Sequence, residues 1–351
     1  YIGRTISAEQ LGMVRRYAEE FLNQHAEIFR RRQLDGHIRD CHGDMRAESI
    51  CVTNGLCIFD CIEFSARLRC GDTASEIAFL AMDIDARGRP DLAYWLIDRY
   101  IEASGDAGLR DLLLFYASYR AFVRGKVQSF RLDQAVANER LHGTAQRRAR
   151  HYLRLASLYA RVPSQSVLIL VVGLPGTGKT TLARSLGMRL GATVYSSDRV
   201  RKGLAGVEAT HRSNDAIDSG LYSAEMSQRT YAGLRELASE SLAGGRSVVL
   251  DATYRTRDER ASMIDIAHSR GCPYWLVECQ LPESVALRRV AERQESGEGA
   301  SDANAEIYRV QRSRFEPIVA SEGPHVVADM SKPIASVAAR VLERILREPT
   351  G

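Results

Sequence analysis

The chain has 351 residues, of which 45% are hydrophobic and 26% charged, with a formal net charge of +4 at pH 7. Such a length gives room for two domains or one large one with an ordinary core, and so small a charge excess supplies no strong field for nucleic acid or a membrane surface. The longest apolar runs are strand-sized and no signal peptide is visible, so a cytoplasmic protein is expected, although the chain opens on Tyr1 rather than Met, as a fragment would.

In chain order, Leu11, Val14, Tyr17, Ala18, Phe21, Leu22 and Ile28 recur at helical spacing and predict one long amphipathic helix over 8–32. His42-Gly43-Asp44 follows. Two short apolar runs, Ile50–Val52 and Cys57–Phe59, then flank Asn54-Gly55, a strong hairpin signal. Asp60 and Glu63 come directly after the second run, and helices are expected near 73–86, 90–103 and 108–130. Five of the 7 cysteines crowd between Cys41 and Cys70. With no Cys-x2-Cys pair they read as buried, reduced thiols rather than a zinc site, and the odd total argues against a disulfide framework.

Residues 136–164 carry Arg140, Arg147, Arg148, Arg150, Arg154 and Arg161 around an apolar side formed by Leu153, Leu155 and Leu158. This reads as a helical linker with a solvated face, ended by Pro163. It divides a mainly helical lobe, 1–135, from a second domain, 165–351.

The second domain opens on Val167–Val172 and then Gly173-Leu-Pro175-Gly176-Thr177-Gly178-Lys179-Thr180-Thr181. This is the full phosphate-binding loop (the Walker A pattern), set between an apolar strand and a helical pattern as the motif requires. The glycines let backbone N–H groups turn inward, the helix N-terminus adds partial positive charge, and Lys179 reaches the outer phosphates. The Thr180 hydroxyl is placed to ligate Mg²⁺. A nucleoside triphosphate is the expected ligand.

Further strands are expected at Ala192–Ser196, 245–251, 273–279 and His325–Asp329, alternating with helices. That alternation predicts a doubly wound, parallel, five-stranded sheet in an α/β domain. Asp198, just past a strand's carboxyl end, lies where such sheets bind substrate and could accept a proton from an attacking hydroxyl. Its bland alternative is helix N-capping. Arg201 shares a helix face with Asp198 and could hold an anionic part of the acceptor. Asp251 ends a strand at the position where a second acidic group orients Mg²⁺. The stretch from 203 to 245 reads as an insertion covering the acceptor, with His211, Arg212 and Tyr222 as candidate contacts. Arg289 and Arg293, four apart before the Gly-rich segment 294–302, fit arginines of a closing lid.

From the phosphate loop, the Asp198-x-x-Arg201 pair, Asp251 and the two lid arginines, residues 165–348 resemble small phosphate-loop kinases. These include gluconate kinases, chloramphenicol phosphotransferase, zeta toxins and the kinase domain of polynucleotide kinases. His42-Gly43-Asp44, Phe59-Asp60 and Gly71-Asp72-Thr-Ala-Ser-Glu76 resemble the protein-kinase-like C-terminal lobe of aminoglycoside phosphotransferases. In that family the first Asp is a catalytic base, while an Asn five residues later and the post-strand Asp bind Mg²⁺. Here Asp44 and Asp60 match, Ser49 stands in place of Asn, and too few residues precede His42 for the ATP-covering lobe. A scaffold or substrate shelf with a vestigial second site at Asp44, Ser49 and Asp60 is the expectation. Both halves together resemble the bacterial proteins described as bifunctional aminoglycoside phosphotransferase/ATP-binding proteins.

The resemblance implies an ATP- and Mg²⁺-dependent kinase of a small hydroxylated molecule; from the small net charge and short apolar runs, neither nucleic acid nor a membrane is expected as a partner. Asp198 would be base, Arg201 acceptor clamp, and Lys179, Arg289 and Arg293 charge stabilisers. Thr180 and Asp251 would hold the metal. Two other readings stay open: a nucleic-acid end kinase using the Arg-rich stretch as a phosphate track, and a non-catalytic ATP-binding switch.

Overall fold

A computed structural model of the chain describes residues 1–134, 139–161, 165–208, 220–296 and 304–347. It divides into two compact units, Tyr1–Val162 with Met188–Gly191 and Pro163–Gly187 with Ala192–Gly351.

The first unit begins with α1 (Ala8–Gln24), started by a capping box in which Ser7 and Gln10 satisfy each other's backbone N–H groups. The single helix expected over 8–32 is two, because His25 leaves helical geometry (φ −119°, ψ 21°) before α2 (Ala26–Leu34). Its ring stacks on Phe21 at 4.3 Å and its Nδ1 contacts the Phe21 carbonyl, local bonds that hold the break. Two small antiparallel pairs follow, β1 (Ile38–Asp40) with β4 (Cys70–Asp72) and β2 (Ile50–Val52) with β3 (Leu56–Ile58), with the one-turn α3 (Ala66–Arg69) between the last two strands. The hairpin expected at Asn54-Gly55 is present. Its second strand, with Cys57, is all exposed, and Cys61 beyond it and Cys70 on β4 are exposed too rather than buried as expected; all seven cysteines are free, with only Cys272 and Cys279 buried.

Helices α4 (Thr73–Ala86), α5 (Pro90–Ser104), α6 (Leu109–Gln134) and α7 (Glu139–Tyr159) complete the unit. Asp72 caps α4 by accepting from Ala74 N–H, and Pro90 starts α5 where its missing N–H costs nothing. The Arg-rich stretch is α7, which buries Ala145, Ala149, Leu153 and Leu155 against the rest of this unit. Arg32 sits buried between Asp72 and Asp106, with four hydrogen bonds of 2.7–2.8 Å to the two carboxylates.

The second unit is an α/β layer structure. Its strands are β5 (Leu168–Val172), β6 (Thr193–Ser196), β7 (Val248–Asp251), β8 (Tyr274–Gln280) and β9 (His325–Asp329), all parallel in the order β6-β7-β5-β8-β9. All of β5 and β7 is buried, as a parallel sheet covered on both faces requires. The connecting helices are α8 (Lys179–Leu190), α9 (Ser197–Leu204), α10 (Ala224–Ala243), α11 (Arg257–Arg270), α12 (Glu283–Ser296) and α13 (Ala305–Ser313), and α14 (Ile334–Arg347) closes the chain. Among the described residues no helix is long and apolar enough to cross a membrane.

Candidate functional site

The sheet register gathers the site. Val171 pairs with Asp251 on β7, and Asp251 pairs with Ser196 on β6, so three strands end level. The phosphate loop leaves β5 there, and α9 begins there with Asp198 in its first turn. Order and register therefore place loop, Asp198 and Asp251 in the crevice outside the carboxyl ends of the strands.

Gly176 takes φ +75°, and a Cβ there would run into the Ala286 carbonyl and stand 2.9 Å from Val290 Cγ2 on α12. Only glycine lets the loop lie so close to α12. Within the loop, Lys179 Nζ donates to the Leu174 carbonyl at 3.0 Å, and Thr180 Oγ1 donates to Asp251 Oδ2 at 2.6 Å. Burial pushes the Lys179 ammonium below the usual lysine range, against the opposing pull of Asp251, Cys279 and Asp198. Burial likewise pushes the Asp251 carboxyl up, against Lys179 and the Thr180 hydroxyl. Behind the loop, burial pushes the Cys279 thiol up to about 12.

Arg201 Nη1 donates to Asp198 Oδ1 at 3.1 Å, and its guanidinium lies 4.9 Å over the Tyr222 ring. The capping alternative for Asp198 is not seen, since the N-cap is Ser196 and it makes no side-chain cap. Arg201 is 8% exposed, and its Nε is buried without a hydrogen-bond partner among the described residues.

A cavity of about 560 Å³ joins these groups. Of the residues singled out in the sequence, Pro175, Gly176, Gly178, Lys179, Thr180, Thr181, Asp198, Arg201, Tyr222, Asp251 and Arg293 line it. Arg289 sits against the loop instead, its Nη1 3.7 Å from where a Gly178 Cβ would stand. Gly173 and Thr177 line a second cavity of about 620 Å³, and Thr177 Oγ1 donates to the Leu174 carbonyl at 2.7 Å. His211, Arg212 and residues 297–302 of the segment expected to be a lid lie outside the described residues.

Sequence reading missed Tyr231, Thr253, Arg255, Gln311 and Arg314, which also line the cavity. Helix α13, which carries Ile307, Val310 and Gln311 to the cavity, had a readable start in Asn304, whose side chain caps the Ile307 N–H at 2.8 Å. Arg255 had none, because an arginine two residues past a strand end looks like any turn residue.

In the first unit, Ser49 O accepts from the Phe59 N–H at 3.0 Å and His42 Nε2 contacts the Phe59 carbonyl at 2.7 Å, which brings the two segments of the expected second site together. Asp44 is bound by Arg46 at 2.8 Å, Ser49 is buried at 2% exposure, and Asp60 is exposed with φ 64°. Glu76 accepts from the Gly43 N–H at 3.1 Å and so fixes the His-Gly-Asp turn onto α4. Among the described residues no three His, Cys, Asp or Glu side chains cluster to hold a metal.

Residues 168–318 match the family model for an AAA domain. Over 312 residues, 89% of this chain, uncharacterized proteins of Mycobacterium tuberculosis and Mycobacterium bovis are 33% identical. The chain spans 61% of the length of these curated relatives. Among solved structures, a gluconokinase from Sinorhizobium meliloti is 19% identical with TM-score 0.38, covering 53% of this chain and 94% of that one. A Mycobacterium tuberculosis APS kinase in complex with AMPPNP and APS is also 19% identical, with TM-score 0.37, covering 52% of this chain and 99% of its own. A sugar kinase from a Janibacter species is 19% identical with TM-score 0.40, covering 51% and 94%.

Proposed function

We propose that the second unit is an ATP- and Mg²⁺-dependent kinase of a small hydroxylated molecule. The observation that carries this is a single cavity lined at once by the phosphate loop, Asp198, Arg201, Asp251 and Arg293. A nucleotide and an acceptor in that cavity would meet end to end.

The residues fit both groups. Gly176 leaves the loop backbone free of a Cβ that α12 would reject, as a phosphate cradle needs. The 2.6 Å hydroxyl–carboxylate pair of Thr180 and Asp251 offers hard oxygens, the donor set that Mg²⁺ prefers. Bound there, the metal would neutralise charge on the outer phosphates. Lys179 leaves Leu174 to contact those phosphates as a point charge, and Arg289 and Arg293 add cationic charge from α12. Asp198 holds the proton leaving the acceptor hydroxyl, and Arg201 orients the acceptor. Positioning and charge are most of what phosphoryl transfer asks of a protein. The first unit serves as scaffold in this reading, since its Asp44 is committed to Arg46.

The test is ATP turnover by wild type and Asp198→Asn with pooled hydroxylated metabolites. Stimulation by a pool should fall about 10²–10⁴-fold in the variant, the worth of a general base, with ATP affinity retained. Equal stimulation in both proteins would remove Asp198 from the chemistry. No stimulation by any pool, with ATP bound, would replace the kinase by the nucleotide switch.

A further inference from the structure

Helix α13 divides its faces between the two cavities that flank the phosphate loop. Ile307, Val310, Gln311 and, at its C-cap, Arg314 follow one another at spacings of three and four residues down one face. All four line the cavity of about 560 Å³ that also takes in Asp198 and Asp251. Tyr308, Arg312 and Phe315 line the cavity of about 620 Å³, and an ion pair between Arg312 and Glu283 ties that face to α12. On the first face Gln311 alone is both uncharged and able to hydrogen-bond.

Gln311 is held as a solvated glutamine is not. Its Oε1 accepts from Thr253 Oγ1 at 3.3 Å, and Thr253 lines the same cavity. Thr253 is itself pinned, its carbonyl accepting from the Gly173 N–H of the phosphate loop at 3.4 Å. The next residue, Tyr254, is fully buried at φ +47°, and its carbonyl accepts from Arg260 at 3.0 Å. A bulky side chain on left-handed backbone persists only where its surroundings over-determine it. The turn after β7 therefore gives Gln311 a fixed partner. An amide oxygen has two lone pairs, and the nitrogen beside it has two N–H donors. Thr253 takes one lone pair, and among the described residues the Nε2 donors have no partner. Half-buried in the cavity wall, Gln311 presents an acceptor and a donor side by side in one plane.

We propose that Gln311, aligned by Thr253, reads two neighbouring hydroxyls of the acceptor, one donating to Oε1 and the next accepting from Nε2. This rests on the kinase reading above and narrows its acceptor to a polyol that carries a vicinal diol besides the reacting hydroxyl. Hydroxyls on adjacent carbons are spaced much as the two ends of a carboxamide are. One planar amide therefore satisfies both, whereas a lone hydroxyl leaves one end unmet. Ile307 and Val310, on the same helix face, give the carbon-bound hydrogens of the polyol an apolar surface to rest on. A site built to hydrogen-bond a hydroxyl strongly rejects the analogue lacking it, because the group in the protein is then left unpaired.

The experiment uses the full chain saturated with a non-hydrolysable ATP analogue. Glycerol, ribose, glucose and myo-inositol are titrated into it calorimetrically, beside two controls without adjacent hydroxyls, propane-1,3-diol and cyclohexane-1,3,5-triol. ADP release from ATP is followed with the same compounds. At least one vicinal polyol should bind, and neither control should come within about tenfold of it. This comparison needs no variant, so it decides even where a substitution disturbs the fold. Gln311→Leu should weaken the bound polyol about tenfold or more. Thr253→Val keeps the volume and the backbone contact to Gly173 but frees the amide. It should raise the acceptor KM about threefold or more with a smaller change in kcat, and Thr253→Ser should restore it. Unchanged analogue affinity certifies the fold of each variant. Polyol binding that needs Gln311, without ADP release, would keep the diol site and remove the kinase. ADP release with a control at or above the polyols, or equal in wild type and Gln311→Leu, would keep the kinase and overturn the diol site. Absence of polyol binding in the wild type would overturn it too, and Thr253→Ser as weak as Thr253→Val would remove the Thr253 hydroxyl from the reading.

Discussion

Gly176 shows how a single position in the phosphate loop can be tested apart from its chemistry. Its φ of +75° costs an L-residue about 1–2 kcal/mol wherever it occurs, and Gly245 has nearly the same φ of +73° with nothing within 4 Å of a Cβ. What separates them is α12, whose Ala286 carbonyl and Val290 stand where the Gly176 Cβ would go. Gly245→Ala should therefore lower stability by about 1 kcal/mol and leave ATP affinity unchanged. Gly176→Ala should push the loop off α12 and weaken ATP binding at least tenfold. Equal ATP affinities in the two variants would show that the loop does not depend on its seat against α12. The comparison also holds a lesson about legibility. The glycines of the phosphate loop were readable because the motif fixes their spacing, whereas the partner that makes Gly176 irreplaceable lies 110 residues on and appears in no local pattern.

At the scale of elements, α11 is held by a fully buried arginine. Arg260 is 0% exposed, donating from Nε and Nη2 to Glu322 at 2.6 and 2.9 Å and from Nη1 to the carbonyls of Tyr254 and Glu316. One guanidinium thereby ties the start of α11 to the turn before β9. Arg260→Leu would leave Glu322 buried with only the Val319 N–H at 3.1 Å and Arg257 at 4.0 Å to answer it, at a cost of up to about 3–5 kcal/mol. The double change Arg260→Leu with Glu322→Leu should recover much of that loss, because it removes the stranded charge. Urea midpoints of the two proteins decide it: a double variant as unstable as the single would mean that the two carbonyl contacts, and not the ion pair, carry the element. The five strands were legible as apolar runs bounded by turns, and α8 by its helical pattern. The break at His25 and the Arg260 anchor were not, because each is decided by a side chain finding a partner rather than by spacing. The same holds for the candidate site: Asp198, Arg201 and Asp251 were visible from strand ends, while Arg255 and Arg314 become site residues only once the sheet and α13 are in place.

Across the whole chain, buried arginine–carboxylate clusters set how stability responds to acid. In the first unit burial alone would raise Asp106, but Arg32 more than offsets it and holds the carboxyl below the usual range. In the second unit burial opposes and Arg260 with the Val319 N–H prevails, so Glu322 is also held low. A carboxyl whose folded pKa lies below its unfolded value binds fewer protons folded than unfolded in the interval between them. Its stabilisation is fully present above the unfolded value, about 3.9 for Asp and 4.3 for Glu, and is lost as pH falls through the folded value. Glu76 works the other way, since burial prevails over Arg120 and the Gly43 N–H and raises it. Its contribution declines as pH rises through that raised value, so it lowers stability on the alkaline side of it. The outcome expected from urea midpoints is a wide gap between wild type and Arg260→Leu at about pH 6 that narrows below about pH 4. The narrowing follows because protonating Glu322 removes the pair in the one protein and the stranded charge in the other. Arg32→Leu should show the same convergence through Asp106, and Glu76→Gln should remove the decline that sets in as pH rises above the ordinary glutamate range. A gap for Arg260→Leu that stays constant down to about pH 3 would mean that Arg260 acts by filling space, and that its charge is incidental to the fold.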